Sequence, residues 1–214
     1  MTFGLASFLS AFIPSVGGLI AFNKVDVIFK NFTLLLMVIC MLECIANYQF
    51  YHHQSNLFVY NICLILETTV LPLIVLKSIK WKLMKLSTVI AIVTFLLTFF
   101  FKLFYFKSIQ TIGTEYRIYS CIILILLSGT IIIQQSKITS IHLLLNPLFI
   151  LSFSLLFYYG VSLFAQGACH LIANTKYQQI SQQIWKAHSI VNIFTNLSFT
   201  FSIWLSYRQK KLSL

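Results

Sequence analysis

The chain has 214 residues, 59% of them hydrophobic and only 9% charged, with a formal net charge of +11. A soluble domain carries about 25% charged residues, so composition excludes an ordinary soluble domain, and spanning segments of about 20 residues each take up nearly the whole length. The positive charges lie in short loops between apolar runs, which is the pattern of a membrane protein and argues against nucleic acid as a partner.

Seven candidate spans follow in chain order. Span 1 runs from about Phe3 to Phe22, is Gly- and Ser-rich at its start, and contains Pro14. The first charge is Lys24, so no basic segment precedes this run, and it reads as a retained helix and not as a cleaved leader. Span 2 covers about Asn31 to Tyr48, and span 3 about Asn56 to Leu76 with Pro72 near its end. Span 4 covers about Leu86 to Phe106, and span 5 about Tyr116 to Ile133. Span 6 covers about Pro147 to Phe164, with proline at the first helical position, where its missing N–H costs nothing. Span 7 covers about Ile184 to Tyr207. Lipid offers no hydrogen-bond partners, so each span is expected to be a helix. The polar connection from Ala165 to Gln183 is expected to carry a short amphipathic helix over the outer mouth.

The fold expected is all-α: one domain over residues 1–214, a bundle of seven transmembrane helices. Its orientation comes from counting basic residues by loop. One side collects Lys24, Lys30, Lys77, Lys80, Lys82, Lys85, Lys137, Arg208, Lys210 and Lys211; the other holds Lys107, Arg117, Lys176 and Lys186. Ten against four selects N-terminus out and C-terminus in. Trp81, Trp185 and Trp204 fall at span ends, as interfacial aromatics do. An Ile-, Phe-, Lys-, Leu- and Asn-rich composition points to an A+T-rich bacterial genome, hence a bacterial inner membrane.

Five cysteines, most of them inside apolar runs and none in a Cys-x-x-Cys pair, do not form a disulfide framework and read as small buried hydrophobes.

Two of the four acidic residues, Glu43 and Glu67, lie inside spans 2 and 3. An ionised carboxylate at mid-membrane costs about 2.5–3.5 kcal/mol on insertion scales, so such a residue is a functional-site hypothesis by default. Spans 2 and 3 share a short outer connection, which puts the two carboxyls at similar depth on neighbouring antiparallel helices. Asn47 lies one turn beyond Glu43, and Tyr60 and Cys63 share the face of Glu67. Span 7 carries His188, Asn192, Asn196 and Thr200 at steps of four. This stripe is expected to face the bundle interior, where asparagine and threonine serve equally as interhelical hydrogen-bond partners. Span 6 adds Tyr158, Tyr159, Ser162 and Gln166. The expectation is an outward-opening polar cavity walled by spans 2, 3, 5, 6 and 7. Its ligand-binding residues are Glu43, Asn47, Glu67, Tyr158, His188, Asn192 and Asn196, its ligand is small and polar or amphiphilic, and it has no cofactor.

Other chemistries find little support. Seven-helix zinc hydrolases of the ceramidase and adiponectin-receptor type carry paired histidines on their last helix, and here Asn192 stands where the partner of His188 would be. A retinal protein needs a lysine in the middle of span 7, where none occurs. In architecture alone, the layout is similar to microbial sensory membrane modules and to seven-helix receptors. The function expected is therefore a sensor or ligand-binding protein in the lipid bilayer, signalling through a separate membrane or cytoplasmic partner. The alternatives are a transporter or accessory subunit and, further down, a metal-dependent lipid hydrolase.

Overall fold

The first apolar run folds as two helices. In the computed structural model, which describes residues 2–106, 114–138, 143–172 and 178–212, it divides at Ala11 into α1 (Thr2–Ser10) and α2 (Phe12–Ala21), with a 3-10 turn at Phe22–Lys24. Pro14 explains the break: it has no N–H for the carbonyl of Ser10, and its ring crowds that carbonyl. Six long helices follow: α3 (Val27–Tyr51), α4 (Leu57–Leu76), α5 (Lys82–Phe106), α6 (Thr114–Ile138), α7 (Pro147–Ile172) and α8 (Gln178–Leu212). No strand occurs among the described residues.

Six segments are long and apolar enough to cross a membrane: Gly4–Lys24, Val27–Tyr51, Leu57–Leu76, Lys82–Tyr105, Thr114–Lys137 and Pro147–Cys169. α8 is the longest helix, at 35 residues, but its polar stripe and glutamines make it less apolar than the rest. The bundle thus has six to seven helices able to span a bilayer. The connection expected at Ala165–Gln183 is largely absorbed, because α7 continues to Ile172 and α8 begins at Gln178. Apolar periodicity marks only the lipid-crossing part of a helix, and Gln, Ala and Ser extend it at little cost in propensity. Residues 173–177, with Asn174 and Lys176, lie outside the described residues, as do Lys107 and the side chain of His170.

Hydrogen bonds define one end of the bundle. Lys210 Nζ donates to the carbonyl of Val25 (3.2 Å), and the Asp26 N–H donates to Ser206 Oγ (3.4 Å), tying the end of α8 to the turn before α3. The Lys80 N–H donates to Gln134 Oε1 (3.2 Å), and Asn146 Nδ2 donates to Gln135 Oε1 (2.9 Å). The three connections and the end of α8 that carry the ten lysines and arginines counted above therefore meet at the same end, called here the Lys-rich end.

Around the bundle, α2, α3, α4, α6, α7 and α8 neighbour one another in that order and close back on α2, while α5 lies outside against α4 and α6. Tyr116 and Tyr119 of α6 hold α5 by donating their hydroxyls to the backbone carbonyls of Thr98 (3.0 Å) and Ala91 (3.2 Å). The half nearer the Lys-rich end is packed mainly with apolar side chains. Phe29 and Phe32 of α3, Val75 of α4, Leu124, Leu127 and Ile131 of α6, and Leu151 of α7 are all 0–2% exposed. Phe32 meets Phe199 of α8 edge to face at 5.0 Å. The exterior is inverted relative to a soluble protein: Leu83 (83%), Ile20 (82%) and Phe104 (76%) face out, while Ser128, Ser152, Ser202 and Ser206 are buried. That surface is compatible with lipid and would be a large sticky patch in water.

Candidate functional site

The half of the bundle away from the Lys-rich end encloses a cavity of ≈ 430 Å³. Five helices wall it: α3, α4, α6, α7 and α8. Near its mouth lie Tyr60, Arg117, Gln166 and Trp185, each within about two turns of the end of its helix. Deeper lie Glu43, Cys63, Glu67, Ser120, Cys121, Tyr158 and Tyr159. Glu43 is eight residues and Glu67 ten residues from the mouth-side ends of α3 and α4, which is about 12–15 Å along each helix. Both carboxyls also line a smaller hollow of ≈ 60 Å³ that reaches Asn196, Thr195 and Phe199.

The helical repeat explains this convergence. On α4, Tyr60, Cys63 and Glu67 fall at spacings of three and four, and Leu71 and Ile74 continue the same face into the apolar core. On α6, Arg117, Ser120, Cys121 and Leu124 do the same. Each helix is thus polar at its cavity end and apolar at its core end along one stripe.

Electrostatically the two carboxyls are not equivalent. Glu67 is in hydrogen-bonding reach of the Tyr159 hydroxyl and feels the positive charge of Arg117. The Arg117 guanidinium lies over the Tyr60 ring, 5.5 Å from its centroid. Glu43 has Glu67 as its charged neighbour. Among the described residues, no side chain donates to or pairs with its carboxyl; the amide of Asn47 donates to its backbone carbonyl instead (2.8 Å).

His188 shares a 2.8 Å hydrogen bond with Ser162 Oγ and packs between the rings of Tyr158 and Trp185. Asn192 reaches the cavity wall, but its side-chain amide donates to Ser7 Oγ of α1 (2.8 Å). Asn196 donates to Ser10 Oγ (2.9 Å), and the Thr200 hydroxyl bonds back to the Asn196 carbonyl (2.9 Å). The stripe on α8 therefore divides: His188 turns to the cavity, while the two asparagines hold α1.

Of the residues singled out from sequence, the structure brings Glu43, Glu67, Tyr158, His188 and Asn192 to one cavity and Asn196 to the hollow beneath it. It leaves Asn47 off both walls, in a bond within its own helix. Arg117 was counted among the loop charges, because three residues from the start of α6 it lies where an interfacial cation is commonplace. Its spacing to Ser120, Cys121 and Leu124 is the signal that assigns it to the inner face. Lys102 and Glu115, also near this end, pair with each other on the exterior at 3.1 Å.

Among the described residues no three His, Cys, Asp or Glu side chains converge as metal ligands do.

The chain matches no family model, and no curated protein or solved structure matches it.

What the arrangement can do chemically is bind. It offers carboxyls, a guanidinium, an imidazole and phenol hydroxyls within an aromatic wall, in a space of the size of ordinary small-molecule sites.

Proposed function

We propose that this chain is a multi-pass membrane protein that binds a small polar or amphiphilic ligand in the cavity and acts as a sensor or receptor. The Lys-rich end lies in the cytoplasm in this reading, as the positive-inside rule requires. The cavity then opens outward, and the membrane is the inner membrane of a bacterium. Signalling passes to a separate membrane or cytoplasmic partner at the Lys-rich end.

One observation carries the reading: Glu43, Glu67, Arg117 and His188, from four different helices, share one cavity in a bundle whose other half is filled by apolar packing. Ionisable groups inside a membrane are expensive, and four converging on one space exceed what interhelical hydrogen bonding needs. A transporter would need a polar path through the whole bundle. The packing of Phe32, Leu124, Leu151 and Phe199 blocks that path in this conformation, so transport ranks second.

The test is native mass spectrometry of protein purified in mild detergent, with Glu67→Gln and His188→Ala alongside. The wild type is expected to carry a small molecule, and both variants to insert normally yet lose most of it. A hydrogen bond to a charged group is worth about 1.5–3 kcal/mol, which is about a ten- to hundredfold loss of affinity. A wild type free of bound small molecules, with variants indistinguishable from it, would overturn the proposal. Substrate flux into liposomes would move the protein to the transporter class.

A further inference from the structure

Among the described residues, the charges lining the cavity do not balance. Two carboxyls, Glu43 and Glu67, face one guanidinium, Arg117, with His188 counted as neutral. The Tyr159 hydroxyl is in hydrogen-bonding reach of Glu67, and Arg117 acts on Glu67 by its charge from beyond ion-pair distance. Glu43 receives neither, and no side chain among the described residues holds its carboxyl. Glu43, like Glu67, is only half-buried and lines the open cavity. A carboxyl at this depth is neutralised either by a proton or by a cation from outside the protein. The wall suits an organic cation, since Tyr158 and Tyr159 line the deeper part of the cavity and Trp185 lines it nearer the mouth, and ammonium groups are drawn to aromatic rings.

Resting on the reading of the cavity as a ligand site, we infer that its ligand is a small organic cation whose protonated amine pairs with Glu43. A zwitterion fits less well. Its carboxylate would have to compete with Glu67 for the only guanidinium on the wall. An anion would meet an excess of negative charge.

The experiment uses the full chain in nanodiscs of neutral lipid, with empty nanodiscs as the control for partitioning. Four probes of one skeleton are titrated calorimetrically: phenethylamine, 2-phenylethanol, 3-phenylpropionate and phenylalanine. Phenethylamine is expected to bind saturably and more tightly than the other three. Glu43→Gln is expected to weaken it about ten- to a hundredfold, and Glu43→Asp to retain most of the binding. Arg117→Gln shifts the balance the other way: it should strengthen phenethylamine binding, whereas a zwitterion site would lose phenylalanine binding with the same change. Preference for the alcohol, the carboxylate or phenylalanine, lost on Glu67→Gln, would overturn the cation assignment and leave the ligand site standing. Binding of none of the four, or phenethylamine binding that Glu43→Gln and Arg117→Gln leave unchanged, would also overturn the assignment. The ligand site itself is then decided by the mass-spectrometric experiment above.

Discussion

Gly18 marks a close approach of α2 to α3. A Cβ at this position would overlap Oγ1 and Cγ2 of Thr33. Thr33 is fully buried, and its hydroxyl is donated to the Phe29 carbonyl at 2.8 Å. The obstacle is a β-branched side chain with few rotamers open to it in a helix, so it cannot simply swing away. Gly18→Ala is expected to destabilise the bundle by about 1–3 kcal/mol, outweighing the ~1 kcal/mol of helix propensity that alanine adds. Thr33→Ala removes both overlapping atoms, so the double variant should recover most of the loss. The midpoint of unfolding in mixed micelles reads both effects, and a Gly18→Ala single variant as stable as the wild type would refute the overlap. At this scale the candidate site was partly legible. Glu43 and Glu67 stand out in sequence because a carboxylate in an apolar run is costly. Arg117 does not, because the same residue at a helix end carries no such cost. The unlike surroundings of the two carboxyls were not legible at all, since they depend on which helix face Arg117 and Tyr159 present to α4.

Among the elements, α1 is the least self-sufficient. It is nine residues long, below the length at which an isolated helix holds itself together, and Leu5 and Leu9 lie more than half exposed. Two side-chain bonds to α8, Asn192 to Ser7 and Asn196 to Ser10, dock it. Such bonds average about 0.6 kcal/mol within membrane bundles, so a double-mutant cycle of Ser10→Ala and Asn196→Ala should show a coupling of about that size. Additive effects in the same micellar unfolding assay would mean that packing alone holds α1. The spans themselves were readable, because runs of about 20 apolar residues have few alternatives to a membrane helix. Two features were not. The break at Ala11 depends on how a proline near a helix start is resolved, and Pro72, fully inside α4, causes none. The stripe of four on α8 tells which residues share a face but not which neighbour that face meets, so the division between cavity and α1 came only with the packing.

For the molecule as a whole, orientation decides what the cavity can sample. The structure gathers the ten basic residues of three connections and the end of α8 at one end, and the cavity mouth lies at the other. Because short connections follow the positive-inside rule, a green fluorescent protein joined after residue 212 is expected to fluoresce. Alkaline phosphatase inserted at Ser55, in the turn between α3 and α4, is expected to be active. The bias can be tested as a cause. Changing Lys77, Lys80, Lys82 and Lys85 to glutamine leaves six basic residues at that end against four at the other, and a mixed population should then give partial signal from both reporters. If the unaltered protein instead shows a dark C-terminal fusion and an inactive phosphatase, the cavity opens to the cytoplasm. Binding in the cavity would survive that result, but the ligand would come from inside the cell, and the protein could no longer report on the surroundings.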